Sequence, residues 1–97
     1  MILVRTIMQA KFGKAGELAK LMKESTPEIS QGYSGHARVL TDLSGPFDTV
    51  VLEIEAPSLS EWQRSRDELF ASPEFRESFG RTADLIIGGR AEFFTIE

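Results

Sequence analysis

Residues 2–11, ILVRTIMQAK, are dense in β-branched and aliphatic side chains and predict a first strand. Gly13 breaks it. Ala15, Leu18, Ala19, Met22 and Ile29 then recur at helical spacing, which predicts a helix over 14–30. Pro27 is expected to end or kink that helix, because proline removes one backbone donor and crowds the preceding turn. Gly32 and Gly35 frame a turn, 36–43 predicts a second strand, and the turn-rich SGPFD (44–48) leads into TVVLEIEA (49–56), so 36–56 forms a hairpin. SLSEW (58–62) opens a helix with a capping box, Ser58 followed three residues on by Glu61. ASPEF (71–75) restarts it, with Ser72 as cap and Pro73 at the first helical position, where a missing N–H costs nothing. Leu59, Trp62, Leu69 and Phe70 supply an apolar stripe that Phe75, Phe79, Ala83 and Ile86 continue, Gly88 and Gly89 are expected to end it, and RAEFFTIE (90–97) is the last strand.

The order β-α-β-β-α-β predicts an α+β fold of ferredoxin-like type, a four-stranded antiparallel sheet with its helices on one face. Alternation along the strands separates two faces. Ile2, Val4, Met8, Ala37, Val39, Val50, Leu52, Ile54, Ala91 and Phe93 form an almost wholly apolar set, which we place against the helices. The opposite set mixes Arg5, Gln9, His36, Arg38, Thr49, Glu53, Glu55 and Glu92 with Leu3, Ile7, Leu40, Val51, Phe94 and Ile96. In a monomer this face meets water. A contiguous apolar patch of that kind marks an interface or a ligand surface, and a second copy packed face to face through a two-fold axis covers it most simply. The expected partner is therefore another copy of the chain, giving a homodimer through the sheet face and a dimeric α/β barrel.

Composition narrows the function classes. Ninety-seven residues suit one domain over 1–97. A net charge of −4, with no run of Lys or Arg, argues against general nucleic-acid binding. No apolar run approaches the length of a membrane span. Cysteine is absent, which removes thiolate nucleophiles and sulfur-ligated metals and is in keeping with a cytoplasmic location. The start MILVRTIMQA reads directly as strand and lacks the pattern of a secretory signal.

LSEWQRSRDELFASPEFRES (59–78), the ending GGRAEFFTIE (88–97) and the strand TVVLEIEA resemble the dimeric α/β barrel superfamily, and within it NIPSNAP-type domains most of all. The resemblance spans the whole chain and implies the fold and the dimer. It implies no particular reaction, because NIPSNAP-type domains have no well-defined shared one. Haem-degrading relatives use an asparagine on the first strand and a tryptophan and histidine on the second helical segment. Here the strand offers Met8 and Gln9, the position four after Phe75 is Phe79, and Trp62 lies about two turns early, which argues against haem degradation. Cofactor-free monooxygenases of the superfamily often place a histidine near the segment matching 70–76, and FASPEFR lacks one.

The candidate chemistry is correspondingly sparse. His36 is the single histidine and the one side chain that titrates near neutral pH unaided, so it is the candidate general base. Alone it makes no metal site, and nothing in the pattern calls for a cofactor. Arg5 falls on the strand expected between the third and fourth, so Glu53 and Glu92 flank it. The set is read either as cross-strand ion pairing or as a cluster orienting a polar ligand group. The expected function is small-molecule binding between the two sheets, with Arg5, Ile7, Arg38, Val51, Glu53, Glu92 and Phe94 as ligand contacts. The alternatives are a cofactor-independent monooxygenase acting on an aromatic or quinol substrate, with His36 as base, and a dimerisation module without a ligand site. Trp62, Phe70, Phe75 and Phe79 read as core against the sheet.

Overall fold

A computed structural model describes residues 1–29 and 37–97, so the expected Gly32–Gly35 turn and His36 lie outside the described residues. The elements are β1 (Ile2–Ala10), α1 (Ala15–Ile29), β2 (Ala37–Thr41), β3 (Thr49–Ala56), α2 (Leu59–Ala71), α3 (Pro73–Ala83) and β4 (Ile86–Thr95). The strands form one antiparallel sheet in the order β2-β3-β1-β4. The molecule is a slab 18 Å thick and about twice as wide, the thickness of one sheet and one helix layer. This is the expected ferredoxin-like α+β architecture, with the second helical segment divided at Ser72.

Local chemistry explains the boundaries. Ser58 accepts a hydrogen bond from the Glu61 N–H at 3.1 Å and starts α2. Ser72 does two jobs: its N–H closes α2 on the Leu69 carbonyl, and its hydroxyl accepts from Phe75 N–H to open α3. Asp48, held at φ 59°, ties the β2–β3 loop to the start of α1. Its carboxylate accepts from the Gly13 and Ala15 N–H groups at 2.9 and 3.2 Å, and its carbonyl from Ala10 N–H. The helix α1 continues through Pro27 to Ile29.

Two expectations at the C-terminal end are corrected. Gly88 and Gly89 do not end a helix, and Ile86 is not part of the helical stripe; all three belong to β4, which starts at Ile86. The helix stops earlier because Asp84 caps it and Leu85 turns back onto the Thr82 carbonyl. Gly89 pairs with Met8, and a Cβ there would sit 2.5 Å from the Ile7 carbonyl oxygen. It is a strand glycine that permits close backbone approach.

The helix-facing side of the sheet forms the core. Val4, Met8, Val50, Leu52 and Ile54 are buried there, the last four packed with Leu18, Ala19 and Met22 of α1. Coverage thins toward the β4 edge, where Phe93 keeps 44% exposure with the Trp62 ring edge-on against it at 5.1 Å.

Candidate functional site

Antiparallel pairing sets four charged side chains in one row across the open face. Arg38 of β2 faces Glu53 of β3, Glu53 faces Arg5 of β1, and Arg5 faces Glu92 of β4. Arg5 Nε donates to Glu53 Oε2 at 2.8 Å and Arg38 Nε to Glu53 Oε1 at 2.7 Å, so each carboxylate oxygen has its own guanidinium. Arg5 also reaches Glu92 at 3.8 Å and lies over the Phe94 ring. The Glu53 side chain is only 4% exposed, although it stands on the face away from the core. What covers it is the pair of arginines. Burial by itself would raise its pKa, but the hydrogen bonds and charges of Arg38 and Arg5 outweigh burial and hold the carboxyl below its ordinary value of 4.5. Leu40, Val51 and Ile7 form a second row on one side of the charges, and Leu3 and Phe94 lie on the other.

Behind the sheet, between its helix-facing side and α2 and α3, lies a cavity of about 250 Å³. Thr6, Met8, Leu52 and Ile54 floor it, α1 adds Met22 and Ser25, and Trp62, Phe70, Phe75 and Phe79 wall it. Phe70 stands edge-on to Phe75 and Phe79 at 5.2 Å from each, a favourable arrangement for aromatic rings. Arg66 also lines it, its guanidinium over the faces of Phe70 and Trp62 at 5.0 and 5.9 Å. Arg66 makes no ion pair among the described residues. The lining therefore offers aromatic surface, a few hydroxyls and one cation.

All seven expected ligand contacts (Arg5, Ile7, Arg38, Val51, Glu53, Glu92 and Phe94) occupy the open face, and Arg5, Arg38, Glu53 and Glu92 are brought together there. The cavity is on the other side and uses none of the seven. Sequence reasoning took its aromatic walls for close-packed core. A signal was nonetheless present. Trp62, Ser65, Arg66 and Leu69 follow the i, i+3, i+4, i+7 stripe of α2, and two of those four core-facing positions are polar. Small and polar residues among large rings leave space. Among the described residues no three His, Cys, Asp or Glu side chains gather as a metal site, and no described helix is long and apolar enough to cross a membrane.

These features define a ferredoxin-like α+β domain with a half-apolar open sheet face and an aromatic cavity behind it. Among solved structures it is similar to an uncharacterized NIPSNAP domain protein from Burkholderia xenovorans, with a TM-score of 0.85 at 20% identity, covering 100% of this chain and 95% of that one. A NIPSNAP family protein from Agrobacterium tumefaciens gives 0.84 at 20% identity, covering 99% and 92%. An antibiotic biosynthesis monooxygenase gives 0.74 at 14% identity, covering 100% and 99%. The chain thus has the ferredoxin-like fold of NIPSNAP-type domains, as its sequence suggested. No protein-family model and no curated protein matches the sequence.

Proposed function

We propose that the chain works as a homodimer joined through the open sheet face, each protomer binding one small, largely aromatic or aliphatic anion between its helices and its sheet. The aromatic cavity with Arg66 at its wall carries this reading. Its volume is near the lower end for small-molecule sites, enough for one substituted ring. A cation over aromatic faces, with no carboxylate partner among the described residues, favours a carboxylate, enolate or phenolate on the ligand. The dimer is supported by the open face itself: four strands of about eight residues present roughly 500 Å², so two copies bury about 1,000 Å², the threshold of a specific interface.

An oxygenase acting on a phenol or quinol needs a base against the ring oxygen. Among the described residues that line the cavity none is a histidine, lysine or carboxylate, and this favours binding over turnover. The test uses Trp62, the single tryptophan, as reporter. Titration with 4-tert-butylbenzoate is expected to change its emission saturably, and the matching benzyl alcohol to bind about tenfold more weakly. Arg66→Gln is expected to abolish that preference while keeping the fold. No saturable response, or an undiminished preference in Arg66→Gln, refutes the site, and oxygen consumption on adding a quinol refutes the choice of binding over turnover.

A further inference from the structure

The charged row is not symmetric, and its asymmetry carries information about a facing copy. Read from β2 to β4 it runs plus, minus, plus, minus: Arg38, Glu53, Arg5, Glu92, one residue per strand. Two sheets packed face to face are related by a two-fold axis lying in the plane between them. An axis parallel to the strands, midway between β3 and β1, reverses the order of the row. Arg38 then lies over the partner's Glu92 and Glu53 over the partner's Arg5, so every facing pair is of opposite sign. An axis running along the row keeps its order, which places Arg38 over the partner's Arg38 and Glu92 over the partner's Glu92. All four facing pairs are then of like sign, and like charges brought together in an interface are strongly disfavoured.

The apolar rows do not choose between these arrangements. With the first axis the Leu40–Val51–Ile7–Arg90 row lies on its own copy, which sets Arg90 over the partner's Leu40 and Glu55 over the partner's Leu3. With the second it lies on the Glu55–Leu3–Phe94 row, which sets Arg90 over the partner's Phe94 and Glu55 over the partner's Val51, so in neither arrangement does one of these two charges face another. The charges decide. We propose that the row Arg38–Glu53–Arg5–Glu92 fixes the dimer's orientation, with the two-fold axis along the strands and Arg38 paired to the partner's Glu92 at both ends. This rests on the homodimer proposed above and adds which way the copies face.

The exposure of the four side chains suits these roles. Glu53 is used up within its own chain, both oxygens taken and 4% exposed. Arg38 is 69% exposed and spends only Nε and one terminal nitrogen on Glu53 Oε1, leaving further N–H donors of its planar fork for a second carboxylate. Glu92, 34% exposed, has among the described residues a 3.8 Å contact from Arg5 and a 3.2 Å bond from Arg90 Nε. The ends of the row hold the spare capacity, and the reversing axis joins them. Facing sheets cross at about 30°, an offset that long arginine side chains span.

The test is a double-mutant cycle on dimer affinity, read by sedimentation or light scattering. Arg38 and Glu92 are three strand spacings apart within one chain, about 14 Å, far enough for independent effects to add. Arg38→Gln and Glu92→Gln are each expected to raise the dimer Kd about tenfold, and the double variant to raise it little further, because either change already removes the same cross-interface pair. Multiplicative effects overturn the orientation and leave the dimer standing. A wild-type monomer at high concentration overturns the dimer and the orientation with it. A second experiment inverts the row: Arg38→Glu, Glu53→Arg, Arg5→Glu and Glu92→Arg, with Arg90→Glu to keep the bond between residues 90 and 92, together preserve every ion pair within and between copies. Wild type and inverted chains, mixed and weighed by native mass spectrometry, are expected to sort into like dimers. Mixed dimers at or above the statistical proportion overturn the proposal. Circular dichroism of each variant verifies that it folds, and if the inverted chain does not, the cycle alone decides.

Discussion

Replacing Glu53 by glutamine keeps the side chain's shape and removes the charge on which two guanidiniums converge. Each charge-assisted bond, from Arg5 at 2.8 Å and Arg38 at 2.7 Å, has a full value of about 1.5–3 kcal/mol. The full sum does not apply. In the single chain Arg38 is 69% exposed and Arg5 36%, so in the monomer both turn to water when the carboxylate is lost, unlike the stranded partner of a deeply buried pair. We expect Glu53→Gln to cost about 1–2 kcal/mol at pH 7, a shift of roughly 1 M in the urea midpoint for a chain this size.

The pH dependence has a definite sign. The folded Glu53 carboxyl titrates below the 4.5 of the unfolded chain, so its contribution is complete above the unfolded pKa and is lost as pH falls through the lower folded value. The difference in stability between wild type and Glu53→Gln is therefore expected to hold steady from pH 7 to about 5.5 and to shrink toward zero in stronger acid. Contributions of the other carboxylates are common to both proteins and cancel. Urea unfolding followed by circular dichroism across that range measures it, at two protein concentrations to separate any dimer contribution. A difference that stays constant down to pH 2, or grows on acidification, would show that the charge of Glu53 is not what the arginines hold.

Four other substitutions probe the frame. Gly89→Ala drives a Cβ to within 2.5 Å of the Ile7 carbonyl and 3.3 Å of Met8 Cα, backbone atoms that do not yield, so thermal unfolding is expected to show a loss of about 2–3 kcal/mol. Gly80→Ala in α3 meets nothing within 4 Å and should gain about 0.5–1 kcal/mol; a loss there would show that the local packing is wrongly described. Leu18→Ala empties a fully buried site in the core, with an expected loss of about 3–4 kcal/mol in chemical denaturation. Ser72→Ala removes the hydroxyl that opens α3 and should lower stability by about 1 kcal/mol.

What the sequence disclosed follows from what periodicity reports. Strands with period-two alternation, such as Thr49–Ala56, and helices announced by Ser58 and Ser72 were legible because local side-chain chemistry alone sets them. The partners of Arg5 followed from the strand order. Ile86–Gly89 was misread because a glycine pair is the usual signal for ending a helix, whereas the reason for Gly89 is the neighbouring strand β1, invisible to a local reading. The cavity escaped for a related reason. A stripe of Trp62, Leu69 and Phe70 has the same pattern whether the space it faces is full or empty; Ser65 and Arg66 on the same stripe are the local signal, and the three-dimensional arrangement of Ser25 and Thr82 among the rings completes it.

The strand β1 serves both faces at once, which constrains its register more tightly than either face would alone. Arg5 and Ile7 point to the open face, while Thr6 and Met8 between and beyond them floor the cavity. A slip by one residue exchanges the two sets entirely: Arg5 would enter an aromatic cavity and Thr6 would interrupt the charged row between Glu53 and Glu92. Hydrophobic burial alone tolerates such a slip poorly, and Gly89 adds a steric stop. Beside the Ile7 carbonyl the backbones of β1 and β4 come so close that no Cβ fits, so a slip that brought Arg90 to that point would force the strands apart and break their hydrogen bonds. The glycine that resembled a helix terminator thus adds to what keeps Arg5 in line with Glu92 across β1 and β4.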